Sequence, residues 1–482
     1  MEVEIIEDLL ILAVNEGEKV GANFVEARFE DLKSQTLIRE KDTMKDVLSS
    51  RRRGIGITAY YKGVQGFSYT TALTKYDVKE TVLRAVKIAK ATEPAARLRL
   101  PFEKGDNLPD MSTPLELKVK KHPSDFGLDY KKDLVDRASD TLLSFDNPKV
   151  NSLVGSYGEL RGIKILCTSE NRTVMYKPII THLGITAIVK DPKTGELLTA
   201  GESEGGAFGL SRWNEKGTTP EDMAEKAYNW AVEKCDAKKP PAGKHRVLTD
   251  PDLTCVLAHE SFGHLCEADG IVDKSSPLTG KIGQQIANNN VNVIDVGVNE
   301  QEGGLWLPYD DQGIPTVRTN LVEDGVLKSY LHNRGTEAAL SGSGGLSGNA
   351  RALTYQFSPI PRMKNTIFLP GEIKTEEEML ELLGTGIYSI DTSGGSVAMS
   401  NFQFFALRGY WVENGEKKYP LRDHLLTGNI LQCLKEVEAL SQQTVMKSGY
   451  FGGCGKGGQN GLSVGMSAPH MLFSAIQVGG EN

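Results

Sequence analysis

The chain has 482 residues, 39% hydrophobic and 24% charged, the proportions of a globular protein, and its length predicts two domains rather than one. A formal net charge of −8 argues against a nucleic-acid surface, and Arg51-Arg52-Arg53, a compact basic run, reads as a solvated turn. No apolar run approaches the roughly 20 residues that span a bilayer. The acidic N-terminus lacks the pattern of a signal peptide, and six cysteines without regular spacing do not suggest a disulfide framework, so the cytoplasm is the expected location. Cys167, Cys235, Cys255 and Cys433 read as small buried hydrophobes.

In chain order, residues 4–20 place Ile5, Ile6, Leu9, Leu12, Ala13 and Val20 at helical spacing, and Gly21 is a natural stop. Short strands are predicted at 24–29, 36–38 and 47–49, then a hairpin of 55–61 and 64–69 across Lys62-Gly63. Thr74 caps a helix reaching residue 90. From 93 to 127, five prolines and many charges break every pattern, which predicts a long surface excursion, solvated or facing a partner. A helix at 129–143 follows. Strands are predicted at 150–157, 160–168, 173–189 and 197–201, with a turn at 191–195 and a helix with proline in its first turn at 220–235. Helices alternating with antiparallel hairpins define an α+β class, not a doubly wound parallel sheet.

Residues 236–243, Asp-Ala-Lys-Lys-Pro-Pro-Ala-Gly, read as a linker between an N-terminal domain (1–235) and a β-rich C-terminal domain (244–482). After a strand at 246–248, Asp250 caps a helix over 251–266. Further strands are predicted at 291–296, 316–322, 326–331 and 402–412, the last closed by Asn414-Gly415. Asp310-Asp311, followed by Gly313 and Pro315, reads as a turn, and His332 and His424 as packed or solvated. A helix is predicted at 423–440, strands at 444–450 and 462–466, and a final strand at 471–478.

The helix over 251–266 carries His259-Glu260-x-x-x-His264. Two imidazoles can bind one metal ion, and the intervening carboxylate can hold a water beside it. A separation of five residues turns the two side chains about 140° apart on a regular helix. One extra residue in the turn, a π-bulge, brings them together again, and Gly263 tolerates such a distortion. The same residues also fit an ordinary amphipathic helix. Near the C-terminus, Gly452-Gly453-Cys454-Gly455-Lys456-Gly457-Gly458-Gln459 offers a thiolate on a glycine-rich loop, which alone reads equally as a flexible hairpin tip.

Together the two stretches resemble the TldD branch of the TldD/PmbA family, also called modulator of DNA gyrase. The likeness extends through Gly21 to Arg28, Arg53-Gly-Ile-Gly-Ile, Gly63-Val-Gln-Gly-Phe, Asp311-Gln-Gly-Ile-Pro-Thr, Glu323-Asp-Gly-Val-Leu and Gly348-Asn-Ala-Arg. It implies a zinc metallopeptidase acting on small or unfolded peptides, paired with a homologue of the PmbA or TldE type that lacks the metal motif; a homodimer is the second choice.

With Cys454 as third ligand, His259 and His264 suit Zn²⁺ over Mg²⁺ or Ca²⁺, and three protein ligands leave a position for water, whose pKa the metal lowers. Glu260 is then the general base on that water. Glu267 and Asp269 are candidates to orient an imidazole, Lys456 and His470 to stabilise an oxyanion or hold substrate. Two alternatives stay open: a hydrolase with Cys454 as nucleophile and a histidine as its base, or a non-catalytic subunit with a closed structural zinc site, for which Cys266 is the remote fourth ligand.

Overall fold

Two long strands, Phe24–Glu40 and Thr43–Tyr61, are the spine of the first half, in a computed structural model that describes residues 2–96, 113–146, 149–299, 303–340, 342–398, 400–448 and 450–480. They absorb the short strands expected at 24–29, 36–38 and 47–49 into one hairpin, in register from Phe24 opposite Tyr60 to Glu40 opposite Thr43. The charges between those segments do not interrupt pairing because they match across it: Asp31 accepts from Nη2 and Nε of Arg51 at 2.5 and 2.7 Å, and Glu30 takes Arg52 at 2.9 Å. The hairpin of 55–61 with Val64–Thr70 is as expected, with Lys62 and Gly63 at φ 49° and 75° in the tight turn.

Across Phe24–Glu40 lies Val150–Thr168, one strand where two were expected; Gly158, inside it, has the ring of Tyr450 where a Cβ would stand, 2.1 Å away. The run expected at 173–189 divides into Arg172–Lys177 and Ile179–Lys190 at Pro178, which has no N–H to donate. With Leu197–Gly206 and the short Leu115–Glu116, these strands form an eight-stranded sheet among the described residues. Helices Glu2–Lys19 and Lys75–Thr92, the latter capped by Thr74, bury Leu9, Leu10, Val78 and Val82 against it. Leu128–Leu143 and Pro220–Glu233, the latter with a full capping box at Thr219, cover a second cluster around Leu153 and Leu183. Of the excursion expected from 93 to 127, residues 97–112 lie outside the described residues; the rest contains Leu115–Glu116 and two short turns of helix.

The second half is built on an eleven-stranded mixed sheet. Gly243–Thr249 runs parallel to Gly386–Ala398 and antiparallel to Gly465–Gly480. The helix Pro251–Ala258 leaves it at once: Asp250 caps the helix by accepting the Leu253 N–H at 2.9 Å. Leu253, Leu257 and Phe262 anchor this helix and its continuation in the largest apolar cluster. The helix expected at 423–440 is a correction. The chain there forms strand His424–Asn429, a short helix Ile430–Lys435 and strand Val437–Ser448. Helical spacing of the leucines is overridden by pairing of His424–Asn429 on both sides, and Asn429, accepting the Gln432 N–H, starts the helix late.

Polar contacts join the two sheets. Arg28 donates to the carbonyls of Thr354 and Phe357, each at 3.0 Å, and the Tyr355 N–H donates to Glu30 at 2.7 Å. A Cβ on Gly56 would stand 2.3 Å from the Tyr355 carbonyl oxygen, so this strand and the 353–357 segment meet backbone to backbone. Asp310-Asp311 does make the expected turn, with Gly313 at φ 76°, but both carboxylates are buried, and Asp311 takes Lys164 at 2.8 Å and Arg28 at 3.7 Å. His332 and His424 are buried. No helix among the described residues is long and apolar enough to cross a membrane.

Candidate metal centre

The motif helix does not stay regular. From His259 to Gly263 it widens into a π-turn before His264 resumes α geometry. That extra residue cancels the five-residue offset: the two imidazole rings stand 4.9 Å apart, centre to centre, at 86° to each other. Phe262, in the widened turn, is fully buried and meets Phe368 edge-on at 5.8 Å, so apolar packing holds the distortion in place. Gly263 lets Met363 pack against the turn: a Cβ there would stand 2.5 Å from its sulfur, which would have to shift.

Cys454 reaches the helix from a small hairpin, Cys454–Lys456 with Gln459–Leu462, turned by Gly457 and Gly458 at φ 58° and 77°. Gly453, at φ 122°, has no room for a side chain against Gly461 and Leu462, which lets the hairpin close tightly beneath the thiol. The Cys454 Sγ lies 3.0 Å from His264 Nε2, and one donor atom from each of His259, His264 and Cys454 falls within 4.8 Å of the others. Cys266, although buried, is outside this group, and no fourth ligand joins it among the described residues.

The two imidazoles are driven in opposite directions. Burial opposes charge on His264, but the hydrogen bonds it donates to Cys454 and Glu267 outweigh it and raise its pKa to about 10. Burial and the neighbouring His264 push His259 down to about 3, keeping it neutral, and its Nδ1 is buried with no hydrogen-bond partner among the described residues. A buried nitrogen without a partner, a second imidazole and a thiol at this spacing are a donor set that fits a zinc ion. Burial raises the pKa of Glu260, with His264 and the Val397 N–H pulling it back.

The remaining sequence candidates separate. Glu267 is fully buried and its Oε2 lies 3.0 Å from His264 Nδ1, which leaves Nε2 for the thiol side. Asp269 does not reach an imidazole; its Oδ1 takes Lys456 at 2.6 Å. Lys456 donates to Asp269 at 2.6 Å and to the Pro361 carbonyl at 3.0 Å and pairs with Glu267 at 3.0 Å, so in this structure it is turned towards these groups. His470 sits on Gly465–Gly480 with a different set of partners, Tyr388, Ser441 and Glu376. Sequence reasoning missed the buried cations Arg351, Arg362 and Lys364 that lie behind the hairpin. Arg351 ends a two-residue strand and Arg362 and Lys364 lie between strands, so no local pattern marks them as buried, and only the fold reveals it.

The fold and the cluster together define a class: an α+β protein with two imidazoles and a thiol converging beside a carboxylate. Family models of the PmbA/TldA metallopeptidases match the chain as domain 1 at 25–89, central domain at 121–234 and C-terminal domain at 242–480. A metalloprotease of Methanocaldococcus jannaschii is 30% identical over 95% of this chain and 96% of its own length, and a zinc metalloprotease TldD homologue of Saccharolobus solfataricus 24% identical over 97% and 99%. The chain belongs to the PmbA/TldD family of metallopeptidases. Two solved structures share the fold. One, described as a modulator of a DNA gyrase from Thermotoga maritima, has a TM-score of 0.78 at 22% identity and covers 99% of this chain and 100% of its own. The other, TldE from Thermococcus kodakarensis, has a TM-score of 0.76 at 16% identity, covering 98% and 100%.

Proposed function

We propose that this chain is a zinc-dependent peptidase of the TldD type that hydrolyses small or unfolded peptides, with His259, His264 and Cys454 as metal ligands and Glu260 as general base. The observation that carries the reading is the π-turn that brings both histidines of a five-residue spacing to one thiol. Zn²⁺ held there supplies Lewis-acid activation of water and of the peptide carbonyl. Glu260 takes the proton of the attacking water and returns it to the leaving amine, and its burial raises its basicity for that work. Glu267 fixes the tautomer of His264 by accepting the Nδ1 proton.

The substrate reading rests on a strand edge. Gly386–Ala398 is paired along its length with Asn401–Glu413, but on its other side it meets Gly243–Thr249 only at residues 387–389. From 392 onwards that other side has no strand partner among the described residues, and near its end the Val397 N–H bonds to Glu260. An extended peptide adding to that edge is read through its backbone, which gives low sequence specificity.

A second reading has support of its own. Cys454 Sγ at 3.0 Å from His264 Nε2, with Glu267 on the far nitrogen, also has the geometry of a thiol nucleophile, its base and an orienting acid. We further propose a cytoplasmic protein that works with a metal-free homologue of the TldE type, and a two-domain division at 236–243 with one large sheet on each side. The test is metal analysis of the purified chain together with peptidase rates before and after chelation. Zinc content and chelator-sensitive activity support the peptidase; full activity in a zinc-free chain overturns it.

A further inference from the structure

We infer that Arg362 is a positioning residue of this metal centre, acting on His264 through Glu267. The inference rests on the zinc reading above and names a residue that reading leaves out. Arg362 follows Pro361 at the end of the short strand Ile360–Pro361 and is fully buried, with 0% of its side chain exposed. Its Nε points at Glu267 Oε1 from 3.6 Å, an ion pair longer than a hydrogen bond. Nη1 donates to the Gln459 carbonyl at 3.5 Å, while Nε and Nη2 have no hydrogen-bond partner among the described residues. A guanidinium is costly to bury unless an anion faces it, and Glu267 is the anion in reach.

Glu267 in turn has its two oxygens divided. Oε2 holds His264 Nδ1 and Lys456 Nζ, each at 3.0 Å, and Oε1 faces Arg362. Without a cation on Oε1 the carboxylate is free to rotate about its last bond and to trade oxygens with Lys456, and the His264 ring follows. The loop ends of the site are tied to the same point. Lys456 comes from the Cys454 hairpin, Gln459 from its return strand, and Pro361, which accepts from Lys456, precedes Arg362. Arg362 therefore fixes the angle of one ligand relative to the hairpin that carries another.

The test is zinc affinity by competition with a chromophoric chelator, and the visible spectrum of the Co²⁺ form, for the wild type, Arg362→Met, Glu267→Gln and the double variant. Partners behind a metal ligand typically contribute about 10- to 100-fold to affinity. Arg362→Met is expected to weaken zinc binding within that range and to shift the Co²⁺ bands. The double variant binds no more weakly than Glu267→Gln alone, because the arginine acts through that carboxylate. A purely structural role would lower the melting temperature, leave affinity and spectrum unchanged and make the two changes additive; either finding overturns the inference. Should Arg362→Met fail to fold, Arg362→Lys carries the test. It keeps the charge but not the flat guanidinium that faces Oε1 through Nε while Nη1 holds the Gln459 carbonyl, so affinity falls severalfold, and unchanged affinity overturns the inference. A wild type with no zinc affinity overturns the zinc reading and this inference together, whereas tight wild-type binding with an unaffected variant overturns this inference alone.

Discussion

Phe262 is the residue on which the widened turn depends, and replacing it by alanine separates packing from ligation. The ring is 1% exposed and joins the core that contains Leu257, Phe368 and Met471. Its burial contributes about 1.5–3 kcal/mol and its edge-on contact with Phe368 about 0.5–1.5 kcal/mol. A cavity left in a core that collapses only in part brings Phe262→Ala to about 3–5 kcal/mol, while Phe262→Leu, which refills much of the volume, is expected to lose about 1–2 kcal/mol. Guanidinium unfolding measures this as a lower midpoint at unchanged slope. The turn also sets the ligand geometry, so zinc affinity falls about tenfold or more in the alanine variant, in line with the effect of loosening the support of a ligand. A loss below about 1 kcal/mol, or alanine-variant zinc binding equal to wild type, would refute the view that Phe262 holds the turn.

Cys454→Ser is expected to lose zinc and activity together, since a serine hydroxyl is a poor ligand at neutral pH; a variant with full zinc and no activity brings back the cysteine nucleophile. Asp311 provides a pH test of the contact between the two sheets. Burial works against its charge, but Lys164 and Arg28 prevail and hold its pKa at about 2, below its usual 3.8. A depressed folded-state pKa stabilises fully above 3.8, and that contribution is lost as pH falls towards 2. Asp311→Asn should therefore be less stable at neutral pH, with a flatter pH dependence between 4 and 2 in thermal unfolding; an unchanged profile would place the acid sensitivity elsewhere. Activity of the chain alone, measured beside the chain mixed with a TldE-type homologue, is expected to rise on mixing, and full activity of a verified monomer would exclude the need for a partner.

How much of this was legible before the fold was known depends on distance along the chain. Local signals held: Thr74 and Asp250 cap the helices they were expected to cap, and Lys62-Gly63 and Asn414-Gly415 turn their hairpins with positive φ. The five-residue histidine spacing with Gly263 fitted either a π-turn or an ordinary amphipathic helix, and the structure has the π-turn. Pairing over long range was not legible. The leucines of 423–440 have helical spacing, yet neighbouring strands claim His424–Asn429 and Val437–Ser448. The same limit hid Arg362 and separated Glu267, which touches His264, from Asp269, two residues on, which does not. Nothing within a few residues of either carboxylate distinguishes them; the difference is made by Lys456, which arrives from far along the chain and takes Asp269 for itself.

Glu260→Gln tests the central claim most directly, with zinc content and the rate of peptide hydrolysis measured on one preparation beside the wild type. The amide has nearly the shape of the carboxylate but cannot accept a proton from water. The account predicts full zinc content and a rate about 10²- to 10⁴-fold lower. A variant that retains its rate within a few-fold while holding its zinc would contradict the assignment of Glu260 as the base.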